Sequence, residues 1–202
     1  MSDSSDDPIE VYYDYISPFA YFASLRLPEF AERLGRELVW KPIDMMGLSN
    51  FEGGLPYTDD KRAYIMEDCI RLAEYWNLPI SVPNPFPVES GSAIRVALVT
   101  QDLGIFDAYH AAVYRAAWAE SRNIGDKSVL ADCIKDAGGD AAAVLETAHS
   151  EAISSRLTRQ TAEAESRGVF GVPMMIVGEE RFWGADRLEM LEWRLSKEAT
   201  AG

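Results

Sequence analysis

The spacing of apolar residues predicts a βαβ unit at the start of the chain. Residues 9–13 (IEVYY) alternate and are rich in β-branched and aromatic side chains, which predicts a strand. Residues 18–34 carry apolar side chains at helical spacing, and Pro28 should kink or split this helix because it lacks an N–H. Gly35 is expected to end the helix. Residues 38–43 (LVWKPI) predict a second strand, parallel to the first through a right-handed crossover.

The middle of the chain predicts helices joined by irregular segments. Residues 44–60 have loop character, with paired glycines and a proline, and the proline-rich stretch 78–87 is expected to be a turn without regular structure. The periodic apolar positions between these segments and after them predict a series of helices. Their predicted ranges are 59–77, 89–103, 105–120, 126–137, 140–147 and 149–166.

The C-terminal part predicts a hairpin followed by one helix. Residues 174–177 (MMIV) predict a strand, residues 178–180 a turn, residues 181–183 a short return strand and residues 186–197 a helix. The element order is therefore βαβ, a helical block, and ββα. This order predicts an α/β protein in which an inserted all-helical domain interrupts a thioredoxin-like domain. The expected division is a disordered segment 1–8, a thioredoxin-like domain formed by 9–48 and 168–198, and a helical domain 49–167.

Composition and charge narrow the classes of function. The 202 residues are 48% hydrophobic and carry a formal net charge of −14, which disfavours nucleic acid and anionic membranes as partners. No apolar run is long enough to span a membrane, and the acidic start is unlike a signal peptide, so a cytoplasmic protein is expected. Cys69 and Cys133 are far apart and have no neighbouring ligand residues, which predicts buried free thiols and no metal site.

The Ser17-Pro18 pair supports two interpretations. Ser is a preferred helix N-cap and Pro is favoured at the first helical position, so the pair is explained structurally on its own. In a thioredoxin-like domain, however, this turn carries the reactive group at the positive end of a helix dipole. The sequence S-P-F-A has no cysteine here, which excludes dithiol exchange. The functional interpretation is a site for an anion such as a bound thiolate, with the Ser17 hydroxyl as donor.

Two later motifs fit the same interpretation. In "FGVPMMIV" Pro173 starts a strand, but in a thioredoxin fold a proline here is cis and the preceding residue, Val172, offers its backbone to a peptide ligand. In "FWGADRLEML" Asp186 caps a helix in the structural interpretation. In the functional interpretation, the helix amides bind a carboxylate and the acid pairs with an ammonium. A ligand with both groups is an α-amino-acid end, such as the γ-glutamyl end of glutathione.

With these motifs, "YYDYISPFAYFA", "FGVPMMIV" and "WGADRLEMLEWRL", the chain resembles the 2-hydroxychromene-2-carboxylate isomerases, which group with the kappa-class glutathione transferases. The resemblance covers residues 9–195. It implies a glutathione-dependent, homodimeric isomerase that acts on a small aromatic carboxylate. The implied reaction interconverts 2-hydroxychromene-2-carboxylate and trans-o-hydroxybenzylidenepyruvate in the degradation of naphthalene-type compounds.

The resemblance also implies roles for single residues. The Ser17 hydroxyl would bond the glutathione sulfur, Val172 beside Pro173 would pair with the cysteinyl backbone, and Asp186 would hold the γ-glutamyl end. The remaining expected glutathione-binding residues are Ala185, Arg187, Asn50 and Lys41.

Several assignments stay open at the level of sequence. A kappa-type transferase that conjugates electrophiles, or a thioredoxin-like module without catalysis, would carry the same motifs. Lys61 is a second cationic neighbour of the expected site or a surface lysine, and Arg95 faces the substrate or solvent. Pocket walls are expected from the inserted helices and from residues such as Phe19, Tyr21 and Trp118. Two further groups have no function assigned from sequence: Asp14 and Tyr15, which flank Ser17, and the histidines His110 and His149, which are expected to be structural.

Overall fold

Four strands form one mixed sheet in the computed structural model, which describes residues 7–201. The elements in chain order are β1 (Ile9–Tyr13), α1 (Pro18–Arg33), β2 (Leu38–Pro42), α2 (Asp59–Trp76), α3 (Gly91–Asp102), α4 (Phe106–Tyr114), α5 (Lys127–Asp136), α6 (Ala141–Ala148), α7 (Glu151–Ser166), β3 (Met174–Val177), β4 (Glu180–Trp183) and α8 (Leu188–Ala201). The predicted α/β fold, thioredoxin-like with a helical insertion, is confirmed. Of the segment 1–8 that the sequence predicts to be disordered, residues 1–6 lie outside the described part.

The sheet order β2-β1-β3-β4 places the first strand at the centre. β1 and β2 are parallel, as the βαβ prediction requires, whereas β3 is antiparallel to both β1 and β4. The end of β1 therefore leads directly to the start of α1, and the start of β3 lies beside it, because Tyr12 pairs with Met174. This arrangement brings the Ser17 turn and the segment before β3 to the same edge of the sheet.

Helix α1 has well-defined signals at both ends and is not split by its internal proline. Ser17 is the N-cap, and Pro18 occupies the first position. Gly35 has φ +63° and its N–H donates to Glu32 O, while Arg36 N–H donates to Ala31 O, which is a Schellman motif. Of the two expected effects of Pro28, the split is wrong, because one helix runs from Pro18 to Arg33, and the kink stays a prediction. The buried side chains on both sides of Pro28 hold the two halves against the core, and this packing outweighs one lost backbone bond.

The two faces of the sheet are covered by different elements. Val11 and Tyr13 of β1 face the cluster that contains α1, α8 and the inserted helices. Tyr12 faces a second cluster with Ile43, Ala164 and Val169, next to α7. The sequence analysis groups α7 with the inserted domain, yet its Thr161 and Gln160 side chains bond the backbone of residues 44 and 42, so it packs beside the sheet. The domain boundaries themselves stay a prediction.

The inserted helices share their core with the sheet. Buried side chains of β1 and α1 and those of α3 to α6 form one continuous cluster. The helix predicted over 105–120 ends as α4 at Tyr114 and continues as a π-helical turn, Arg115–Ala119. Trp118 in this turn is completely buried and donates its indole N–H to Tyr15 O at 2.9 Å. It therefore anchors the insertion to the end of β1. Within residues 7–201 no helix is long and apolar enough to cross a membrane.

Candidate functional site

The loop before β3 connects three of the predicted site segments. The Val172-Pro173 peptide bond is cis. The Ser17 hydroxyl donates to Val172 O at 3.2 Å, and Gly184 N–H donates to Pro173 O at 3.0 Å. The Asn50 side-chain amide donates to Phe170 O at 3.0 Å. Hydrogen bonds thus join the Ser17 turn, the Asn50 loop and the Gly184 turn to residues 170–173, which we call the cis-proline loop.

Ser17 is buried, and its hydroxyl combines a structural role with a hydrogen bond to the cis-proline loop. Its Oγ accepts from Ala20 N–H at 3.2 Å, so it is the N-cap that the structural interpretation predicts. The same oxygen donates to Val172 O, which directs the hydroxyl toward the cis-proline loop. The first turn of α1 contains no acidic side chain that would offset the positive end of its dipole. An anion placed here would meet both the dipole and a hydroxyl donor.

The turn that carries Asp186 does not use this residue as a cap. Gly184 has φ +108°, a conformation that favours glycine, and the Asp186 carboxylate folds back over the turn, with Oδ1 2.5 Å from where a Cβ would lie. No side chain caps the short 3-10 helix Ala185–Arg187 that follows. The Asp186 carboxylate is half-exposed and pairs instead with Arg187 at 2.8 Å. The capping interpretation of Asp186 is therefore wrong, and its carboxylate remains accessible for a ligand.

Arg26 holds this turn against α1, a role that sequence reasoning missed. Its guanidinium donates to Ala185 O at 3.1 Å and pairs with Glu189 at 2.7 Å. It also lies over the Trp76 ring, 4.2 Å from the centroid. Ala185 itself is buried and contributes backbone rather than side chain. A basic residue in the third turn of an amphipathic helix gives no sequence signal for this contact.

Two half-exposed aromatic rings border the cis-proline loop. Phe170 and Trp183 pack edge to face with centroids 5.0 Å apart. A Cβ at Gly171 would lie 3.2 Å from the Trp183 indole nitrogen, so this glycine allows the indole to lie close to the loop. Trp183 directly precedes Gly184 in the sequence, and this position is a signal for its place beside the turn. No such signal marks Phe170, although its carbonyl holds Asn50.

Lys41 and Lys61, the two lysines considered for the site, contact Glu10 and Tyr57. Lys41 pairs with Glu10 at 3.4 Å, in the cluster where Arg167 also contacts Glu10 and Tyr12. Among the described contacts, none joins Lys41 to the cis-proline loop, and its role in ligand binding stays a prediction. The Lys61 ammonium lies over the Tyr57 ring, 4.2 Å from the centroid.

Asp14 links the Ser17 turn to the loop of Asn50. Its carboxylate is almost completely buried and accepts from Ile16 N–H at 3.1 Å and from Met45 N–H at 2.9 Å. The Tyr114 hydroxyl donates to Asp14 O at 3.2 Å. Burial raises the carboxyl pKa to about 6, although hydrogen bonds from Ser90 and the two amides act in the opposite direction. Asp14 is thus a positioning residue between two predicted site segments.

We expect the contribution of Asp14 to the free energy of unfolding to fall as the pH rises. Its pKa in the folded protein exceeds the unfolded value, so the folded state binds more protons and this contribution is lost between about pH 4 and pH 6. The predicted loss between pH 5 and pH 7 is about 1 kcal/mol. His110, whose pKa burial lowers to about 3, changes stability in the opposite direction over this range. The Asp14 effect must therefore be measured as a difference between two proteins.

The measurement is urea unfolding of the wild type and Asp14→Asn at pH 5 and pH 7. The variant should be less stable at both values, because Asn cannot accept from both amides. The difference between the two proteins should be about 1 kcal/mol smaller at pH 7. Asp140→Asn, at the start of α6, serves as control, because Asn also caps a helix. A difference that does not change with pH would show that Asp14 is ionised in the folded protein at both values.

The expected pocket walls are only partly found. Trp118 was expected to line a substrate pocket, but its complete burial excludes this. Tyr21 is buried and donates its hydroxyl to Pro79 O at 2.8 Å. Phe19, half-buried beside Pro18 and two positions after Ser17, stays an expected wall residue. Within the described chain no group of three or more His, Cys, Asp or Glu side chains is arranged to hold a metal ion.

Comparison with known proteins gives relatives of two kinds. The family model of the DsbA-like thioredoxin domain matches residues 8–196. The chain is 32% identical over 188 residues to 2-hydroxychromene-2-carboxylate isomerase of Sphingobium xenophagum, covering 91% of this chain and 95% of the relative. It is 22% identical over 205 residues to glutathione S-transferase kappa 1 of Rattus norvegicus, covering 94% of this chain and 91% of that relative. A solved 2-hydroxychromene-2-carboxylate isomerase superposes with a TM-score of 0.83 at 28% identity, covering 94% of both chains.

Proposed function

Because the chain belongs to the 2-hydroxychromene-2-carboxylate isomerase family of DsbA-like thioredoxin-fold proteins, we propose that it is a glutathione-dependent isomerase of a small aromatic carboxylate. The family relatives support an isomerase, and the kappa-class relative supports glutathione as the cofactor. The proposed reaction interconverts 2-hydroxychromene-2-carboxylate and trans-o-hydroxybenzylidenepyruvate. The observation that carries the proposal is the hydrogen bond between the Ser17 hydroxyl and Val172 O, because it joins the two groups that would meet a cysteinyl thiol and its backbone.

The residues around the cis-proline loop have the hydrogen-bond donors and acceptors that the tripeptide needs. Ser17 has a hydroxyl for the sulfur, and Val172 has a backbone carbonyl that a cysteinyl N–H would reach. Asp186 has an accessible carboxylate for the γ-glutamyl ammonium. The Asn50 side-chain amide uses an N–H to bond Phe170 O, which leaves its carbonyl oxygen for a ligand donor.

The Ser17 hydroxyl must change its partner when a thiolate is present. It has a single proton, which it donates to Val172 O in the structure. A cysteinyl N–H that takes over Val172 O would release this proton for the sulfur. Bound glutathione would supply a thiolate whose reversible addition to the conjugated double bond permits rotation about that bond. The Ser17 hydroxyl and the N-terminus of α1 would favour the ionised sulfur, and the cis-proline loop would hold the peptide in place.

Arg95 is the residue that we propose for the substrate carboxylate. It lies in the first turns of α3, and Ser90 at the start of this helix bonds Asp14 beside the Ser17 turn. Its Nε is buried without a partner, and within the described chain its one hydrogen-bonded side chain is Ser92, at 3.3 Å. A half-buried guanidinium without a carboxylate is uncommon in a chain with 33 acidic and 19 basic residues. An anionic substrate would provide the missing partner.

We expect Arg95→Met to raise the KM for the carboxylated substrate about tenfold, the effect of losing one charge-assisted hydrogen bond. Glutathione affinity, measured by calorimetry, should be unchanged, because no described contact joins Arg95 to the cis-proline loop. Arg71→Met removes an exposed arginine from α2 and serves as control. A KM equal to that of the wild type would exclude Arg95 from substrate binding.

A kappa-type transferase is the second candidate, supported by the rat relative. Ser17 and the cis-proline loop would then favour attack of the thiolate on an electrophile, and the product would stay bonded to the glutathione sulfur. Assays of isomerisation and of conjugation to a halogenated nitroarene, run side by side on one preparation, separate the two functions. We expect isomerisation to be the faster reaction. Conjugation without isomerisation would support the transferase, and no saturable glutathione binding would support a module without catalysis.

We further propose that the protein is a homodimer that serves in the degradation of naphthalene-type aromatic compounds, which rests on the family relationship. Location in the cytoplasm stays a prediction. Light scattering over a range of protein concentrations should give twice the 22.5 kDa mass of the chain. A mass equal to that of one chain at all concentrations would contradict the dimer.

A further inference from the structure

Side chains of the inserted helices hold the loop that precedes Ser17. The Tyr114 hydroxyl donates to Asp14 O at 3.2 Å, and the Trp118 indole N–H donates to Tyr15 O at 2.9 Å. Both donor residues are completely buried. Asp14 O also accepts the N–H of Ser17 at 3.2 Å. One carbonyl therefore connects Tyr114 to the backbone of the residue proposed to bond the sulfur.

Both donors lie where α4 passes into the π-helical turn. Tyr114 is the last residue of α4, and Trp118 lies within the turn Arg115–Ala119. Trp118 is fixed through its backbone as well, because its carbonyl accepts the N–H of Ser81 at 2.6 Å. Helical segments of this kind are mostly single turns, and they occur often at functional sites. Here the junction presents two side-chain donors to the same loop.

The contact at Asp14 O gains importance when glutathione is bound. In the proposed complex the Ser17 hydroxyl turns from Val172 O to the sulfur, so the bond that joins it to the cis-proline loop is lost. The position of Ser17 then depends on its own turn, through the bond from its N–H to Asp14 O and the bond from Ala20 N–H to its Oγ. A misplacement of about 1 Å can reduce a rate about 100-fold. Residues that fix the Asp14 carbonyl therefore affect the chemistry at the sulfur.

We propose that Tyr114 and Trp118 are positioning residues, which hold residues 14–16 so that the Ser17 hydroxyl meets the sulfur of bound glutathione. The inference rests on the proposed function and deepens it, because it makes the inserted helices part of the sulfur site. Both residues act through the backbone, and neither contacts the reacting atoms. They determine how well one hydrogen bond to the thiolate is aligned, and the pKa of the bound thiol reports the strength of that bond.

The test is Tyr114→Phe, which keeps the ring and removes the hydroxyl. Asp14 O retains the bond from Ser17 N–H, so this buried carbonyl does not lose its last partner and the variant should fold. The thiol pKa of bound glutathione, measured by ultraviolet absorbance of the thiolate, should rise by less than the shift expected for Ser17→Ala. Turnover at neutral pH should fall about 3- to 10-fold, because less of the thiol is ionised.

Tyr109→Phe is the matched control. Tyr109 lies in the same helix, is equally buried and donates its hydroxyl to Ala93 O at 3.0 Å. Urea unfolding should show a similar loss of stability for both variants, whereas the thiol pKa and the turnover should change only in Tyr114→Phe. A thiol pKa in Tyr114→Phe equal to that of the wild type would overturn the inference. An equal shift in Tyr109→Phe would also overturn it, because the thiol pKa would then follow stability alone.

Binding of glutathione to the wild type separates a failure of this inference from a failure of the proposed function. Saturable binding with the same thiol pKa in Tyr114→Phe would remove the positioning role and leave the proposed function standing. No saturable binding to the wild type would overturn the proposed function and this inference with it. Trp118→Phe removes the indole N–H that bonds Tyr15 O and should shift the thiol pKa in the same direction. An unchanged thiol pKa in this variant would overturn the assignment of Trp118.

Discussion

Asp186→Asn should weaken glutathione binding roughly 10- to 150-fold and leave the fold intact. The proposed contact between the carboxylate and the γ-glutamyl ammonium is a charge-assisted hydrogen bond, which contributes about 1.5–3 kcal/mol. Asp186 makes no capping bond in the structure, so the substitution removes a charge without removing a structural contact other than the exposed pair with Arg187. Calorimetric titration with glutathione measures the dissociation constant.

Two variants in the same region make this prediction specific. Glu189→Gln removes a charge at the start of α8, where Glu189 pairs with Arg26, and should change the affinity less than twofold. Arg187→Gln removes the cation that pairs with Asp186 in the structure. The glutathione affinity of this variant should equal that of the wild type or exceed it a few-fold. If Asp186→Asn and Glu189→Gln had the same small effect, Asp186 would not contact the ligand.

Ser17→Ala should raise the pKa of the bound glutathione thiol by roughly one to two units, because a hydrogen bond to a charged group contributes about 1.5–3 kcal/mol and one unit corresponds to about 1.4 kcal/mol. Turnover near neutral pH should fall about 10- to 100-fold, since less of the thiol is ionised. Glutathione affinity should fall less, because the proposed contacts at Val172 and Asp186 remain. Ultraviolet absorbance of the thiolate across pH measures the pKa in the complex.

The structure adds a stability effect that accompanies this change. Ser17 caps α1, so Ser17→Ala should also cost about 1 kcal/mol of unfolding free energy. Ser17→Thr keeps both the cap and the hydroxyl, and it should restore the thiol pKa better than the rate. Ser24→Ala removes a hydroxyl about two turns further along α1 and should leave the pKa unchanged. Superimposable titrations of the wild type and Ser17→Ala would show that Ser17 acts as a cap alone.

Element order and type could be predicted because local patterns determine them. The alternation of β1, the capping signals of α1 and the apolar run of β3 each identify an element without tertiary information. The exceptions arise where packing outweighs local preference. Helix α1 continues through Pro28, and α4 passes into a π-helical turn that buries Trp118 against Tyr15 O.

The candidate site could be predicted only where a motif fixes the backbone. Ser17, Val172 and Gly184 lie in such motifs, and hydrogen bonds connect their segments in the structure. The contacts of Asp14 and Arg26 depend on which segments meet in three dimensions, and this information is absent from residue spacing. An acid between aromatic residues at the end of a strand was the one available signal for Asp14. Lys41 pairs with Glu10 in the structure, and its role in glutathione binding stays a prediction.

The most direct test of the proposed function is the dependence of isomerisation on a free thiol. The conversion of 2-hydroxychromene-2-carboxylate to trans-o-hydroxybenzylidenepyruvate is followed spectrophotometrically with glutathione, with S-methylglutathione and without either. S-methylglutathione keeps the peptide contacts but has no ionisable sulfur. We predict saturable activity with glutathione, and neither activity with S-methylglutathione alone nor activity without added peptide. Equal rates in the three assays would contradict a glutathione-dependent mechanism.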